Sequence, residues 1–361
     1  MSNLGNHTST LNGSVFIVGA SRSGTAMLRS CLNSHSEVHL ASETHYFDDL
    51  RTRRDIVGKK VLSRSELEYC ADYFRALDDR PYGMKGDPHN SSISQFDLLE
   101  AADHLGRDAD AVFEAYCQLK AYRSGAKIWG EKTPRHVFRI DDILERFPQT
   151  RIICMVRDPR AVVASYRDWK NQGGLKRAIG NTDYQDAIKE EEQRAKLSYN
   201  IVISTLLWRA AAKASIAAKR KFGSKSIKIV RYEDVVSKPE LELMEICTWL
   251  GIQYESGMMD IPMLNSSFSK FSNRSGITGE ASERWRNTLS TNEIGVIQKV
   301  AGNTLSIVGY SPVPVGSAIF SVVAECFRLP YSVILAAYAN RNRMGNFVSY
   351  FWRRVRAVVG M

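Results

Sequence analysis

Short apolar runs alternate with longer amphipathic stretches along this chain. An apolar run predicts a strand over 15–19; the Gly/Ser/Thr-rich turn GASRSGT ends it, and a helical pattern follows over 24–34. Residues 127–129 make a short candidate strand, and Pro134 opens a predicted helix to about residue 147 that Pro148 helps to end. The continuous run RIICMV at 151–156 suits a strand covered on both faces. Asp158-Pro159 then starts a helix to about 169, with proline near its first turn. A long Ala- and Leu-rich helix is expected over 200–222 and another strand over 226–231. The last helix of this series covers 239–250, with Gly251 at its C-terminus. Strands separated by helices predict an α/β fold, a central parallel sheet flanked by helices in three layers. Ligands in such sheets lie at the carboxyl ends of the strands.

This pattern makes residues 14–312 one domain, with two excursions at 48–125 and 171–197 that read as helices and loops. Residues 1–13 are polar and uncharged, without the basic start or apolar core of a signal peptide. From residue 313 the chain changes character and mixes apolar runs, aromatics and arginines. Its longest uncharged run, 329–340, is too short to span a bilayer, which takes about 20 apolar residues. As a basic amphipathic segment it suits a membrane interface; otherwise it packs on the domain or on a second subunit of a homodimer.

Composition narrows the ligand more than the fold. At 361 residues with 44% hydrophobic and 24% charged residues, the chain is an ordinary globular protein. Lys and Arg (49) outnumber Asp and Glu (39), a formal net charge of +10 that favours anionic partners. The basic residues are spread along the chain and form no nucleic-acid-binding module, so nucleic acid is not an expected partner. Six cysteines lie far apart with no C-x-x-C pair, which fits reduced, structural thiols and a cytoplasmic setting.

Strand, glycine loop and helix make a phosphate cradle, in a P-loop-like arrangement. Backbone N–H groups at the helix start, close approach at Gly19 and Gly24, hydroxyls of Ser23 and Thr25, and the Arg22 guanidinium all suit an oxyanion. The loop lacks the lysine of a nucleoside-triphosphate P-loop, because Thr25 stands in its place. A second strand end, at 157, delivers Arg157, with Ser165 eight residues on and Arg160 and Arg167 nearby. Arg157 could instead pair with Asp158 or Asp168, and the first loop could be a tight turn without a ligand.

These stretches resemble sulfotransferases that use 3′-phosphoadenosine 5′-phosphosulfate (PAPS), most of all the bacterial and Golgi-type carbohydrate enzymes. ASRSGTAML is similar to the family's 5′-phosphosulfate loop and CMVRDPRAVVASY to its 3′-phosphate motif. HSEVHLASETHYF, WGEKTPRH, IVRYEDVVSKP and SNRSGITGEASERWRNTLS extend the likeness in the family's order over roughly 14–310. The resemblance implies that Arg22, Ser23, Gly24, Thr25 and Ala26 line the 5′-phosphosulfate site. It gives Arg157 and Ser165 the 3′-phosphate, with Arg274 and Gly276 closing over the cofactor and Tyr232 near the adenine. Glu43 becomes the catalytic base, His45 the second candidate base, and Lys132 and Arg22 the fixed positive charge; Arg135 is a weaker candidate. Ala26 lacks the second hydroxyl that the family often has there. Met27 and Arg22 replace the tryptophan and lysine of soluble cytosolic members, which points toward the bacterial subgroup.

The implied reaction is in-line transfer of a sulfuryl group from PAPS to a hydroxyl, with the variable segments 48–125 and 171–197 shaping the acceptor pocket. The expected acceptor is a carbohydrate or glycolipid, on a cytoplasmic enzyme with peripheral contact at the inner face of the membrane. An alcohol, a phenol or a peptide tyrosine remains open. No metal is expected, because catalysis rests on positioning and fixed charge. Two other readings stay open: a non-catalytic nucleotide-binding protein, which would not need Glu43 or Lys132, and a P-loop-type small-molecule kinase, which would need the missing lysine.

Overall fold

The computed structural model describes residues 13–79, 86–171, 193–194, 197, 199–261, 276–316 and 319–340. Five strands, β1 (Gly13–Gly19), β2 (Val38–Ala41), β3 (Ile128–Lys132), β4 (Arg151–Val156) and β5 (Ile227–Arg231), form a parallel sheet in the order β2-β3-β1-β4-β5. The helices of the first half are α1 (Thr25–Asn33), α2 (Arg64–Asp79), α3 (Gln95–Leu105), α4 (Ala109–Arg123), α5 (Ile140–Arg146) and α6 (Pro159–Asn171). Those of the second half are α7 (Ile201–Ser226), α8 (Tyr232–Ser237), α9 (Pro239–Leu250), α10 (Trp285–Thr288), α11 (Thr291–Ala301), α12 (Thr304–Ile307) and α13 (Ile319–Asn340).

Strand periodicity explains why the sheet needs helices on both faces. In β1, Phe16 and Val18 enter one core and Val15 and Ile17 the other. β4 repeats the division, with Ile152 and Cys154 on the first side and Ile153 and Met155 on the second. The first core is closed by apolar residues of α2, α3, α4 and α7, including Phe74, Leu98 and Phe113. The second is closed by α1, α8 and α9, through Leu28, Leu32, Val235 and Ile246. The three-layer α/β fold expected from the alternation is therefore the fold observed.

Several boundaries differ from the expectation. β2 was not anticipated: its four residues, VHLA, carry one polar side chain and are too few to show a period. β3 starts a residue later than predicted and runs to Lys132, because Gly130, Glu131 and Lys132 continue the pairing with β1. The single helix expected over 134–147 is two elements, a 3₁₀ turn at Pro134–Phe138 and α5. They part at Arg139, whose φ of −125° and ψ of 17° are not helical. The helix expected over 200–222 is α7; Asn200 caps its start, accepting from the Val202 and Ile203 amides at 2.9 and 3.0 Å, and Gly223 breaks its geometry near the end. In the tail, α13 runs unbroken through Pro330 and past both Glu325 and Arg328, so the uncharged run understates its length. Two described helices, Ile201–Ser226 and Ile319–Ala339, are long and apolar enough to cross a membrane by length and composition. Half of the first is buried in the domain and none of the second. The leader 1–12, most of 171–197, and 341–361 lie outside the described residues.

Five cysteines are buried and Cys326 is exposed. Burial pushes the Cys31 and Cys154 thiols up to about 12, which fits inert core groups.

The closest backbone approach in the sheet is at Gly130, where a Cβ would lie 1.8 Å from the Val15 carbonyl oxygen of β1. Gly130→Ala must push β3 away from β1, and is expected to cost about 3 kcal/mol by urea unfolding. An alanine variant of unchanged stability would contradict this packing.

Candidate active site

All five strands deliver candidate residues at one edge, and the order of strands sets the order of chemistry. Beyond β2 stands Glu43; at the end of β3, Lys132; beyond β1, the loop 20–24; beyond β4, Arg157; and beyond β5, Tyr232. Register fixes their level, since Ile17 of β1 faces Lys132 and Gly19 faces Met155 of β4. Sequence distances of more than 100 residues thus become neighbouring strand ends.

The loop after β1 makes its turn with two left-handed residues, Arg22 (φ 70°) and Gly24 (φ 89°). A non-glycine residue in that region is uncommon and marks a constrained loop. Gly24 is required by space as well as by φ: a Cβ there would lie 2.4 Å from the Tyr232 ring. Helix α1 begins at Thr25 with no side-chain cap and no acidic residue in its first turn. Its first N–H groups therefore face the loop with their partial positive charge uncompensated by the chain. Ser23 is fully buried, and its Oγ has no hydrogen-bond partner among the described residues. A buried hydroxyl without a partner beside an uncapped helix start is the local signature of an anion site. Thr25 is buried beside it, and Ala26 is half-buried in the first turn.

Arg22 and Ser165, far apart in sequence, meet directly: Arg22 Nε donates to Ser165 Oγ at 3.0 Å. Arg157 lies between the same elements. Its Nη1 donates to the Arg22 carbonyl and its Nη2 to the Ala281 carbonyl, both at 3.1 Å, and its guanidinium stacks 4.1 Å from the Tyr232 ring centroid. Its own carbonyl accepts from the buried Trp208 indole at 2.8 Å. The carboxylates that might have neutralised it are engaged elsewhere: Asp158 with Arg160, and Asp168 with Arg167 at 3.0 Å. Arg157 Nε is buried without a partner. The cluster thus holds a buried cation with a free donor direction, 8% exposed in all. Tyr232 packs between Gly24 and Arg157, so its ring supports the cation rather than standing free.

At the other end of the edge, Lys132 Nζ donates to Glu43 Oε1 at 2.5 Å, with the lysine almost wholly buried and Glu43 half-buried. His45 Nε2 lies 3.5 Å from Glu43 Oε2. Burial pushes the His45 imidazole below its ordinary value, against the opposing pull of Glu43, so at neutral pH it is uncharged. Its Nδ1 is buried without a partner, and its backbone is left-handed (φ 54°).

What holds this loop was missed in the sequence. Glu131, wholly buried one residue before Lys132, accepts from Thr44 N at 3.2 Å, from Thr44 Oγ1 at 2.5 Å and from Thr133 Oγ1 at 3.0 Å, and pairs with the buried His136. Tyr73 Oη donates to the Thr44 carbonyl at 2.6 Å. Alternation along β3 sends Glu131 and Lys132 to opposite sides, so one strand end both clamps the Glu43 loop and presents the cation to it. The ETHYF and EKTP strings hold these groups, one acid each, but nothing in their spacing tells a clamp from a reactant.

The remaining candidates are less engaged. Gly276 is left-handed (φ 97°), donates its N–H to the Ile261 carbonyl at 2.8 Å, and has open space where a Cβ would be. Arg274 lies outside the described residues. Arg160 and Arg167 are tied into structural ion pairs, and Arg135 lies 3.7 Å from Asp48.

A model of the sulfotransferase family matches residues 14–256, from β1 to beyond β5. The chain belongs to the sulfotransferase family. Protein-tyrosine sulfotransferase A of Caenorhabditis elegans is 22% identical over 306 residues, 82% of this chain and 67% of that protein. Nodulation protein NoeE of Sinorhizobium fredii is 21% identical over 310 residues, 82% of this chain and 65% of that protein. The sulfotransferase domain from the curacin biosynthetic pathway shares the fold, with a TM-score of 0.50 at 18% identity, covering 84% of this chain and 99% of that one. This sulfotransferase is accordingly an enzyme of sulfuryl transfer, and the kinase and non-catalytic readings fall away.

Burial alone would raise the Glu131 carboxyl, but His136, Thr44 and Thr133 outweigh it and hold the group below its ordinary value. A depressed carboxylate contributes stability above about pH 4.5, its unperturbed value, and loses it as pH falls through the folded-state value. Glu131→Gln is therefore expected to flatten the acid limb of stability against pH. It should also cut kcat about tenfold while leaving nucleotide affinity unchanged. Acid titration by circular dichroism and steady-state kinetics check this; an unchanged kcat would show that the clamp is structural only.

Proposed function

We propose that this sulfotransferase uses PAPS as its donor and transfers the sulfuryl group to a hydroxyl with Glu43 as the base. The observation that carries the reading is the pair of clusters at one sheet edge: Arg22, Ser165 and Arg157 around the uncapped start of α1, and Glu43 with Lys132 beside them. The orphaned Ser23 Oγ and Arg157 Nε fit an anionic ligand with more than one charged group. Arg22, Ser23, Gly24, Thr25 and the Ala26 amide would hold the 5′-phosphosulfate, and Arg157 and Ser165 the 3′-phosphate, with Gly276 and Arg274 on the closing side. PAPS, when bound, supplies a sulfuryl group whose bond to the 5′-phosphate oxygen breaks as the bond to the acceptor oxygen forms.

The chain's own groups divide the remaining work. Glu43, held by Lys132, takes the acceptor proton. Lys132, Arg22 and the helix start hold the charge that develops on the leaving oxygen. His45 orients the acceptor or Glu43, from whose Oε2 its Nε2 lies 3.5 Å. The described residues contain no group of three metal-ligating side chains, and the proposed chemistry calls for no metal.

Relatives named as protein-tyrosine sulfotransferases support a tyrosyl hydroxyl as the acceptor, whereas the sugar hydroxyl expected from the sequence rests on the motif resemblance alone. Calorimetric titration with 3′,5′-ADP, 5′-AMP and ATP tests the donor. Binding should require the 3′-phosphate, and Arg157→Ala should weaken it by about 2–5 kcal/mol. Glu43→Gln should leave that binding intact and lower turnover about 100-fold or more. Tighter binding of ATP than of 3′,5′-ADP would overturn the donor assignment. Sulfate transfer assayed on tyrosine-containing peptides and on oligosaccharides decides the acceptor.

A further inference from the structure

Helix α13 has two apolar faces, and the domain covers only one of them. Val322 and Leu329 pack on the cluster formed by α6, α7, α10 and α11, and Asn200 Nδ2 donates to Ser332 Oγ at 3.1 Å. These contacts, at partly buried positions from Val322 to Ser332, set one side of the helix against the domain. The opposite face carries Phe320, Val323, Phe327, Tyr331, Ile334 and Tyr338, all exposed, with Phe320 at 87% and Phe327 at 83%. Their spacing of three, four, four, three and four puts them on one stripe of the helix. From Phe320 to Tyr338 the stripe is about 27 Å long at 1.5 Å per residue. A soluble surface rarely leaves such a row of aromatic and branched side chains in water.

The sequence next to the stripe states its partner's charge. Residues 341–361 contain five arginines, Arg341, Arg343, Arg353, Arg354 and Arg356, and no acidic residue, interleaved with Phe347, Tyr350, Phe351 and Trp352. Within α13 the only acid, Glu325, lies on the domain-facing side with Val322 and Leu329 and is paired with Arg328 at 2.9 Å. We propose that α13 and the arginine-rich segment after it seat this enzyme on an anionic lipid bilayer, with the helix lying in the interface plane. Aromatic side chains in the headgroup region with arginines at the phosphates are the chemistry of a monotopic anchor. The contacts through Val322, Leu329 and Ser332 keep the helix beside the domain, which is why it lies on the bilayer and does not cross it.

Cys326 offers a clean reporter, since it is the one exposed cysteine among the six and sits on the flank of the stripe. A polarity-sensitive fluorophore on Cys326 of the full chain is expected to shift to the blue with phosphatidylcholine–phosphatidylglycerol vesicles and not with buffer. Co-sedimentation should fall as salt rises. The double change Phe327→Glu with Tyr331→Glu should weaken vesicle binding about a hundredfold. Arg353→Gln, Arg354→Gln and Arg356→Gln together should weaken it about a hundredfold at low salt. Unchanged 3′,5′-ADP binding and circular dichroism identify folded variants, and the labelled chain reads insertion without either set of changes. The proposal is overturned by any of three results. The label stays silent with anionic vesicles at low salt; the stripe variant binds as well as the parent; or sedimentation shows a dimer formed through the stripe, which lipid does not disperse.

Discussion

The structure depends on β1 lying at the centre of a parallel sheet, hydrogen-bonded to β3 on one side and β4 on the other. Because the strands run the same way, their carboxyl ends lie along one edge. The chain leaves β1 toward β3 and β2, then returns to build β4 and β5 on the other side. The loop after β1 sits where those two directions part, which is where an open α/β sheet leaves a crevice. Burial of β1 on both faces fixes its register, and the register places Lys132, the glycine loop and Arg157 at matching levels. A slip of one residue would send Ile17 and Val18 to the wrong cores, so the packing of the sheet also sets the site.

Charge is distributed along that edge by pairing and by omission. Arg160 and Arg167 are matched to Asp158, just before α6, and Asp168 within it, and their further contacts with Gln298 and Glu293 tie α6 to α11. Among the described residues Arg157 donates to backbone carbonyls and stacks on an aromatic face, and the buried Glu233 carboxylate, itself held by the Asp158 amide and Tyr310, acts on it only through its field. A buried cation without a directly paired carboxylate is costly, and an anionic ligand of the proposed kind would offset that cost. At the other end the arrangement reverses: Lys132 is matched directly to a carboxylate, Glu43. The Glu131 network lets that pair sit at a strand end without the loop collapsing onto it.

Much of this was legible in the sequence, for identifiable reasons. Gly24 and Thr25 fall where a strand turns into a helix, and the apolar runs around them announce both. The run at 151–156 is apolar throughout because β4 is buried on two faces. β2 was not legible, since four residues show no period and its pairing with β3 is more than 80 residues away in sequence. The break at Arg139 was equally hidden, because the turn before it depends on His136 folding inward to Glu131. The contacts of Tyr232 were hidden as well: its position at the end of β5 was foreseen, but its contacts with Gly24 and Arg157 exist only once three strand ends converge.

By itself, then, the sequence determined the fold class, the strand–glycine loop–helix turn and the chemical kinds of residue gathered at the sheet edge, because these follow from local periodicity and from spacing within single strand–loop–helix units. Only the tertiary structure decided which arginines would be matched to carboxylates, which acid would be buried in the clamp and which would meet Lys132. Those choices depend on side chains brought together from β1, β3 and β4, and on burial, which sets the cost of leaving a charge or a hydroxyl without a partner. The same holds for α13: composition marks it as apolar and basic, but only packing shows which face the domain covers and which it leaves exposed.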